Sequence, residues 1–156
     1  LPLEWGILLG PGTGLLIHLA RTSAPRLRLL KPDEGRLVPA APGDAPATVV
    51  IEVSGDLHYA AVPPFVDEVE RLLPPSARAV VLDLSHAHQI RFSALRAFER
   101  IDEELRHDGA ALVLAGVDED ARGLIERSGS GLRVEPAEHE PGLSVRRALE
   151  ALRHAG

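Results

Sequence analysis

Short apolar segments alternate with amphipathic segments from residue 48 to the C-terminus, and this alternation restricts the folds that the chain can adopt. Residues 79–105 contain the clearest example. Residues 79–84 form a short apolar run, β-branched at its centre and closed by Ser85, which predicts a strand buried on both faces. Apolar residues then recur at helical spacing, at Leu95, Phe98, Ile101 and Leu105. The pattern predicts an α/β fold in which helices cover a mostly parallel or mixed sheet.

The remaining elements follow from the same periodicity. The predicted strands occupy residues 48–53, 111–115 and 132–134, and the predicted helices begin near Val62, after Asp118 and at Ser144, which is expected to cap the final helix. Residues 26–38 alternate polar and apolar side chains around a turn, which predicts a hairpin that adds an edge strand. Residues 39–47 are rich in alanine, proline and glycine, and we expect a flexible linker there.

Ser93 is the polar residue with the strongest physical case for a function. It follows the strand predicted at residues 79–84 and is expected to occupy the N-cap position of the next helix. Unpaired N–H groups and the helix dipole favour an anion there, and Arg91 and Arg96 are close enough in sequence to help neutralise a phosphate. Ser93 is therefore a candidate regulatory phosphosite. The alternative is an ordinary N-cap hydroxyl that contributes about 1 kcal/mol to stability.

Several histidines raise the question of a metal site. His86 and His88 could offer two imidazoles, with His58 as a third ligand. The sequence places no carboxylate or second-shell partner beside them, so we interpret His86 and His88 as exposed turn residues. We therefore expect neither a metal nor another cofactor.

Enzymatic activity has little support. Ser93 lacks the G-x-S-x-G elbow of a serine nucleophile. The glycine-rich residues 128–131 lie after a helix and before a strand, with no lysine following, which is the reverse of a phosphate-binding loop. We expect a non-enzyme, and an α/β enzyme that binds nucleotide at its strand ends is the less favoured alternative.

Composition narrows the partners. The 156 residues suffice for one domain with a substantial core. The net charge is −6 and the arginines are scattered among acidic residues, so we expect no nucleic-acid partner. Cysteine is absent, which excludes disulfides and thiolate metal sites. Lys31 is the single lysine against sixteen arginines, a composition that resembles GC-rich bacterial genomes.

The N-terminal segment is apolar enough to suggest a membrane. Residues 5–20 are almost wholly apolar, which is marginal for the roughly 20 residues that a spanning helix needs. Basic residues follow at once, which by the positive-inside rule places the chain after about residue 21 on the cytoplasmic side. We therefore predict a membrane segment and junction in residues 1–25, with lipid around residues 5–20, and a cytoplasmic domain in residues 26–156. The alternative is a buried or swapped helix of a soluble protein.

Residues 80–98, VVLDLSHAHQIRFSALRAF, resemble the central signature of STAS domains. This fold is shared by bacterial anti-sigma-factor antagonists and the cytoplasmic C-terminal regions of SulP-type anion transporters. Residues 55–61, GDLHYAA, residues 112–129, LVLAGVDEDARGLIERSG, and the apolar segment running into residues 21–30, RTSAPRLRLL, resemble the transporter branch. The order and spacing of these stretches carry the resemblance.

The helix-opening turn departs from the family pattern. Where the family has Asp, Ser or Ala, Ser or Thr, and then Gly, this chain has Arg91, Phe92, Ser93 and Ala94. Ser93 matches the phosphorylatable position of the antagonists, but its neighbours change the charge and bulk of the turn. We therefore interpret the turn, with Arg91, Phe92, Ser93 and Arg96, chiefly as a surface for contact with a partner.

The resemblance implies the end of the last membrane span and the STAS domain of a SulP-type secondary transporter in the bacterial inner membrane. The missing membrane domain would move an inorganic or carboxylate anion, coupled to protons or sodium or by exchange. The STAS domain would support regulation and assembly, with its own membrane domain as partner and a homodimer as a further expectation. The alternative is a free-standing binding protein similar to anti-sigma-factor antagonists.

Overall fold

The computed structural model describes residues 24–154, which form one six-stranded mixed sheet and four α-helices. The strands are β1 (Arg26–Asp33), β2 (Arg36–Pro39), β3 (Thr48–Asp56), β4 (Ala79–His88), β5 (Ala111–Val117) and β6 (Val134–Pro136). The helices are a 3₁₀ turn (Tyr59–Ala61), α1 (Val62–Leu72), α2 (Phe92–His107), α3 (Glu119–Ser128) and α4 (Leu143–His154). The prediction of a mixed α/β fold with covering helices is confirmed.

The predicted apolar segment, residues 5–20, lies outside the described residues. Within residues 24–154, every helix is too short or too polar to cross a bilayer. The membrane prediction for residues 5–20 therefore stays a prediction.

The sheet has the order β2-β1-β3-β4-β5-β6. Strands β3 to β6 are parallel, and the β1–β2 hairpin adds two antiparallel strands beside β3, so the predicted hairpin is confirmed. Because β1 runs against β3, Arg26 pairs with Ser54. The chain therefore joins the sheet at the edge where the parallel strands end, and we call this the carboxyl edge.

The two faces of the sheet are covered unequally. Helices α1, α2 and α3 contribute to the larger core, in which Phe65 and Phe98 meet edge to face with ring centres 5.8 Å apart. Among residues 24–154, α4 is the one helix that contributes to the smaller core on the other face, through Val145, Ala148 and Leu152. Burial on both faces explains why the central strands are apolar runs rather than alternating sequences.

Strand β4 is longer than its apolar part predicts. It continues through His88 because its polar end pairs with β3, so that Ser54 lies opposite His86 and Asp56 opposite His88. A bulge between Glu52 and Ser54 allows this second stretch of pairing. The prediction that His86 and His88 belong to a turn is wrong, although both side chains are exposed.

Two predicted serine caps are also wrong. The N-cap of α2 is Arg91, in extended conformation and without a side-chain cap bond, and Ser93 is the second residue of the helix. Ser144 lies inside α4, where it is buried. In α2 the buried Ala94 and Leu95 fix the first turn against the sheet, so core packing decides where the helix begins.

The proline-rich segment after β2 makes specific polar contacts. Lys31 Nζ lies 2.7 Å from Asp44 Oδ2, and the same carboxylate accepts a hydrogen bond from the Ala41 N–H at 2.8 Å. The hydrogen bond from Lys31 lowers the pKa of Asp44, and the same hydrogen bond raises the pKa of Lys31. Flexibility of residues 39–47 stays a prediction, because contacts do not measure motion.

Candidate functional site

Two loops meet at the carboxyl edge, one after β3 and one after β4. The Leu57 N–H donates to the His88 carbonyl at 2.9 Å, and Gln89 Nε2 donates to Asp56 Oδ2 at 3.3 Å. Gln89 has a φ of 53°, a left-handed conformation that a non-glycine residue seldom adopts. These contacts hold the loops side by side, and they position the turn that opens α2.

Aromatic side chains are exposed in both loops. Tyr59, in the 3₁₀ turn after β3, is 84% exposed, and Phe92, the first residue of α2, is 56% exposed. The Arg96 guanidinium carbon lies 5.0 Å from the centre of the Phe92 ring, which is within cation–π range. Arg96 also pairs with Glu99 at 2.9 Å. The loops therefore present apolar surface bordered by positive charge.

The four residues predicted to contact a partner all lie at the start of α2. Arg91, Phe92 and Arg96 are exposed, and Ser93 is half-buried. The side chain of the N-cap residue, Arg91, accepts no hydrogen bond from the helix N–H groups. The first turn contains no acidic residue. The unpaired N–H groups of this turn remain suited to an anion, but the contact and phosphorylation roles stay predictions.

Tyr59 was not identified from the sequence as a surface residue. Residues 55–61, which contain it, supplied part of the family resemblance and the possible metal ligand His58. The available signal was a large aromatic side chain between a strand end and two alanines, a setting where small or polar residues usually form the turn. Exposure of Tyr59 became evident only from the fold.

The histidines at this edge have ordinary structural roles. His58 caps the 3₁₀ turn, with its Nδ1 accepting a hydrogen bond from the Ala60 N–H at 3.2 Å. His86 and His88 project from β4 with the buried Ala87 between them. Within residues 24–154, no group of three or more His, Cys, Asp or Glu side chains is arranged to hold a metal ion.

The charge of the carboxyl edge changes sign across the sheet. After β4 the loop carries Arg91, whereas after β5 the chain carries three consecutive exposed acids, residues 118–120. Asp118 Oδ1 accepts a hydrogen bond from the Ala121 N–H at 2.7 Å and caps α3, as its sequence position predicts. Near β3 and β4 the edge thus carries two exposed aromatic rings, Arg91 and the single exposed carboxylate of Asp56, which accepts a hydrogen bond from Gln89, whereas beside β5 it carries three acids. We call the first part its aromatic and basic side.

Solved structures with the same fold include an anion transporter and an anti-sigma factor antagonist. The murine Solute Carrier 26 family member A9 anion transporter in the inward-facing state aligns with a TM-score of 0.63 and 15% identity, covering 96% of this chain and 26% of that one. A structure of SLC26A9 aligns with a TM-score of 0.63 and 15% identity, covering 99% of this chain and 29% of that one. An anti-sigma factor antagonist from Mycobacterium paratuberculosis aligns with a TM-score of 0.53 and 20% identity. The alignment covers 82% of this chain and 95% of the antagonist.

The chain therefore spans between a quarter and a third of the length of the transporters, and most of the antagonist. No curated protein sequence matches the chain significantly. At the level of sequence, the family described as STAS domain matches residues 39–140. That match runs from the end of β2 to the loop before α4, and so contains Tyr59 and the turn that opens α2. The chain is a member of the STAS domain family.

Proposed function

We propose that this chain is the regulatory and assembly domain of a SulP-type secondary anion transporter. The apolar residues 5–20, followed directly by basic residues and then by the STAS domain, carry the proposal. The near-complete coverage of this chain by alignment with an anion transporter supports it. In this proposal a membrane domain outside these 156 residues moves an inorganic or carboxylate anion by proton or sodium coupling or by exchange.

The domain itself is proposed to bind rather than to catalyse. It would lie on the cytoplasmic side of the bacterial inner membrane beside its own membrane domain, which is its proposed partner, and the turn that opens α2 would be a contact surface. An exposed aromatic residue beside unpaired helix N–H groups supports a contact role for this turn, since Phe92 is available for burial by a partner. A homodimer remains part of the proposal.

Flotation with lipid vesicles tests the membrane attachment. We expect the 156-residue chain to float with the vesicles. The matched control is Thr13→Arg, because an arginine at the middle of a spanning segment costs about 3 kcal/mol of insertion free energy. We expect this variant to float less. A chain that stays entirely in the unbound fraction as a monomer would contradict the transporter proposal.

The second candidate is a free-standing binding protein that resembles anti-sigma-factor antagonists. The alignment that covers 95% of the antagonist favours it, because the whole of that protein corresponds to the domain described here. Ser93 would then be phosphorylated to control binding. The test compares partner capture by the unmodified chain, Ser93→Asp and Ser93→Ala. Loss of capture in Ser93→Asp alone would support this role, and identical capture by all three would exclude it.

A further inference from the structure

The point where the chain joins the domain lies at the carboxyl edge. Pro25 is buried, and a Cβ built on Gly55 would lie 3.6 Å from the Cα atom of Pro25. The residue that precedes β1 therefore lies next to the end of β3. Arg26 then pairs with Ser54 near the end of β3. The direction of β1 therefore places residues 24 and 25 at the same edge as Tyr59 and Phe92.

The short connection limits how far this edge can lie from the predicted membrane segment. The chain from residue 20 to Arg26, at about 3.5 Å per residue, reaches about 20 Å when fully extended. The opposite end of the sheet lies about 30 Å from the carboxyl edge, because β3 has nine residues. If residues 5–20 cross the bilayer, the carboxyl edge is the end of the domain that lies near the headgroups.

The side chains at this edge suit that position. Three large hydrophobic residues of the described chain are exposed, and two of them, Tyr59 and Phe92, lie here, whereas Leu37 lies in the hairpin at the far side. Aromatic rings are favoured at the boundary between water and acyl chains, and arginine can donate to lipid phosphates. Arg91 and Arg26 supply exposed guanidinium groups at the same edge.

The acidic side of the edge sets an orientation. Residues 118–120 would be repelled by anionic headgroups, whereas Arg91 would be attracted. We propose that the aromatic and basic side of the carboxyl edge, with Tyr59, Phe92 and Arg91, docks on the phospholipid headgroup layer while residues 118–120 face away from it. The docking rests on the proposed function, since residues 5–20 bring the edge to the membrane.

The absence of cysteine from the sequence allows a clean test. Single variants Tyr59→Cys and Phe92→Cys of the 156-residue chain carry a fluorophore in vesicles of phosphatidylethanolamine and phosphatidylglycerol containing a headgroup-nitroxide lipid. Matched controls are Asp108→Cys, at the opposite end of the sheet, and Glu119→Cys, on the acidic side. We expect quenching at residues 59 and 92 to exceed that at residue 108 by about threefold or more, because about 30 Å separates the two ends.

Glu119→Cys should give intermediate quenching, and Arg91→Glu in the Phe92→Cys background should reduce quenching while flotation is unchanged. Flotation of each labelled sample separates the two proposals. A chain that does not float overturns both. A chain that floats with equal quenching at residues 59, 92 and 108 overturns the docking alone. In the full transporter, cross-linking of Tyr59→Cys to the membrane domain without lipid quenching would assign the edge to protein and overturn the lipid proposal.

Discussion

Helices α2 and α3 both follow parallel strands at the carboxyl edge, yet their N-termini are built differently. Helix α3 begins with Asp118 as a hydrogen-bonded cap and has Glu119 and Asp120 in its first turn. Helix α2 begins after Arg91, with no side-chain cap and no acid in its first turn. The sequence supplies a side-chain cap at the start of α3 and none at the start of α2, so the first N–H groups of α2 have no side-chain partner from the N-cap residue.

The largest expected loss of stability comes from a substitution at Gly116, near the end of β5, where β5 lies close to β4. Gly116 has a φ of 68°, and a Cβ there would overlap Ser85 Oγ and lie 2.8 Å from Ser85 N. We expect Gly116→Ala to lower the free energy of unfolding by about 2–4 kcal/mol, through backbone strain and overpacking. Urea denaturation measures the change.

Gly109→Ala is the matched control, because Gly109 has a similar φ of 75° but no neighbouring atom within 4 Å of a built Cβ. We expect it to cost about 1 kcal/mol, from backbone strain alone. Equal losses in the two variants would show that the contact with Ser85 contributes nothing.

Removing the cap of α3 should have the next largest effect. Asp118→Ala loses the hydrogen bond to the Ala121 N–H and the favourable charge at the helix start. We expect the free energy of unfolding to fall by about 1–2 kcal/mol, measured by urea denaturation. Asp120→Ala serves as control, since Asp120 lies in the same turn without being the cap. A loss no larger than that of the control would contradict the capping role.

Supplying the missing cap to α2 should make the two helices alike. Arg91→Asp places an acceptor at the N-cap and a negative charge at the helix dipole, so we expect stability to rise by about 0.5–1 kcal/mol. Arg91→Ala is the control, because it removes the guanidinium without adding an acceptor. Thermal unfolding of both variants tests the prediction, and an Arg91→Asp protein no more stable than Arg91→Ala would show that α2 does not need a cap.

The smallest effect is expected at Ser93. Because Arg91 and not Ser93 is the N-cap residue, Ser93→Ala should change the free energy of unfolding by less than about 0.5 kcal/mol. Urea denaturation beside Asp118→Ala gives a direct comparison of a helix residue with a true cap. A loss near 1 kcal/mol would restore the capping role that the sequence predicted for Ser93.

Local signals predicted much of the fold. The alternation of apolar and amphipathic segments predicted the order of strands and helices, and the acids after β5 predicted the start of α3, because a cap and its helix are neighbours in sequence. Ser93 failed as a cap because the burial of Ala94 and Leu95 fixes the start of α2 two residues earlier than a cap at Ser93 requires. The free energy gained by burying these side chains outweighs the roughly 1 kcal/mol that a serine cap contributes to stability.

The candidate site was predictable only in part. The residues of the α2 turn could be identified from the sequence, because they stand between a strand and a helix in a recognisable family pattern. The strand character of His86 and His88 could not, since it arises from pairing with β3, thirty-two residues away in the chain for both His86–Ser54 and His88–Asp56. The exposure of Tyr59 likewise depends on what the folded chain leaves uncovered.

The sequence by itself determined the α/β class, the succession of elements, the capped start of α3 and the residues that open α2, because each depends on neighbouring side chains and their periodicity. The tertiary structure alone decided that Arg26, Tyr59 and Phe92 share the carboxyl edge. The antiparallel direction of β1 and the parallel pairing of β3 with β4 bring these distant residues together. Such placement depends on burial and strand pairing between segments far apart in sequence, which local patterns do not record.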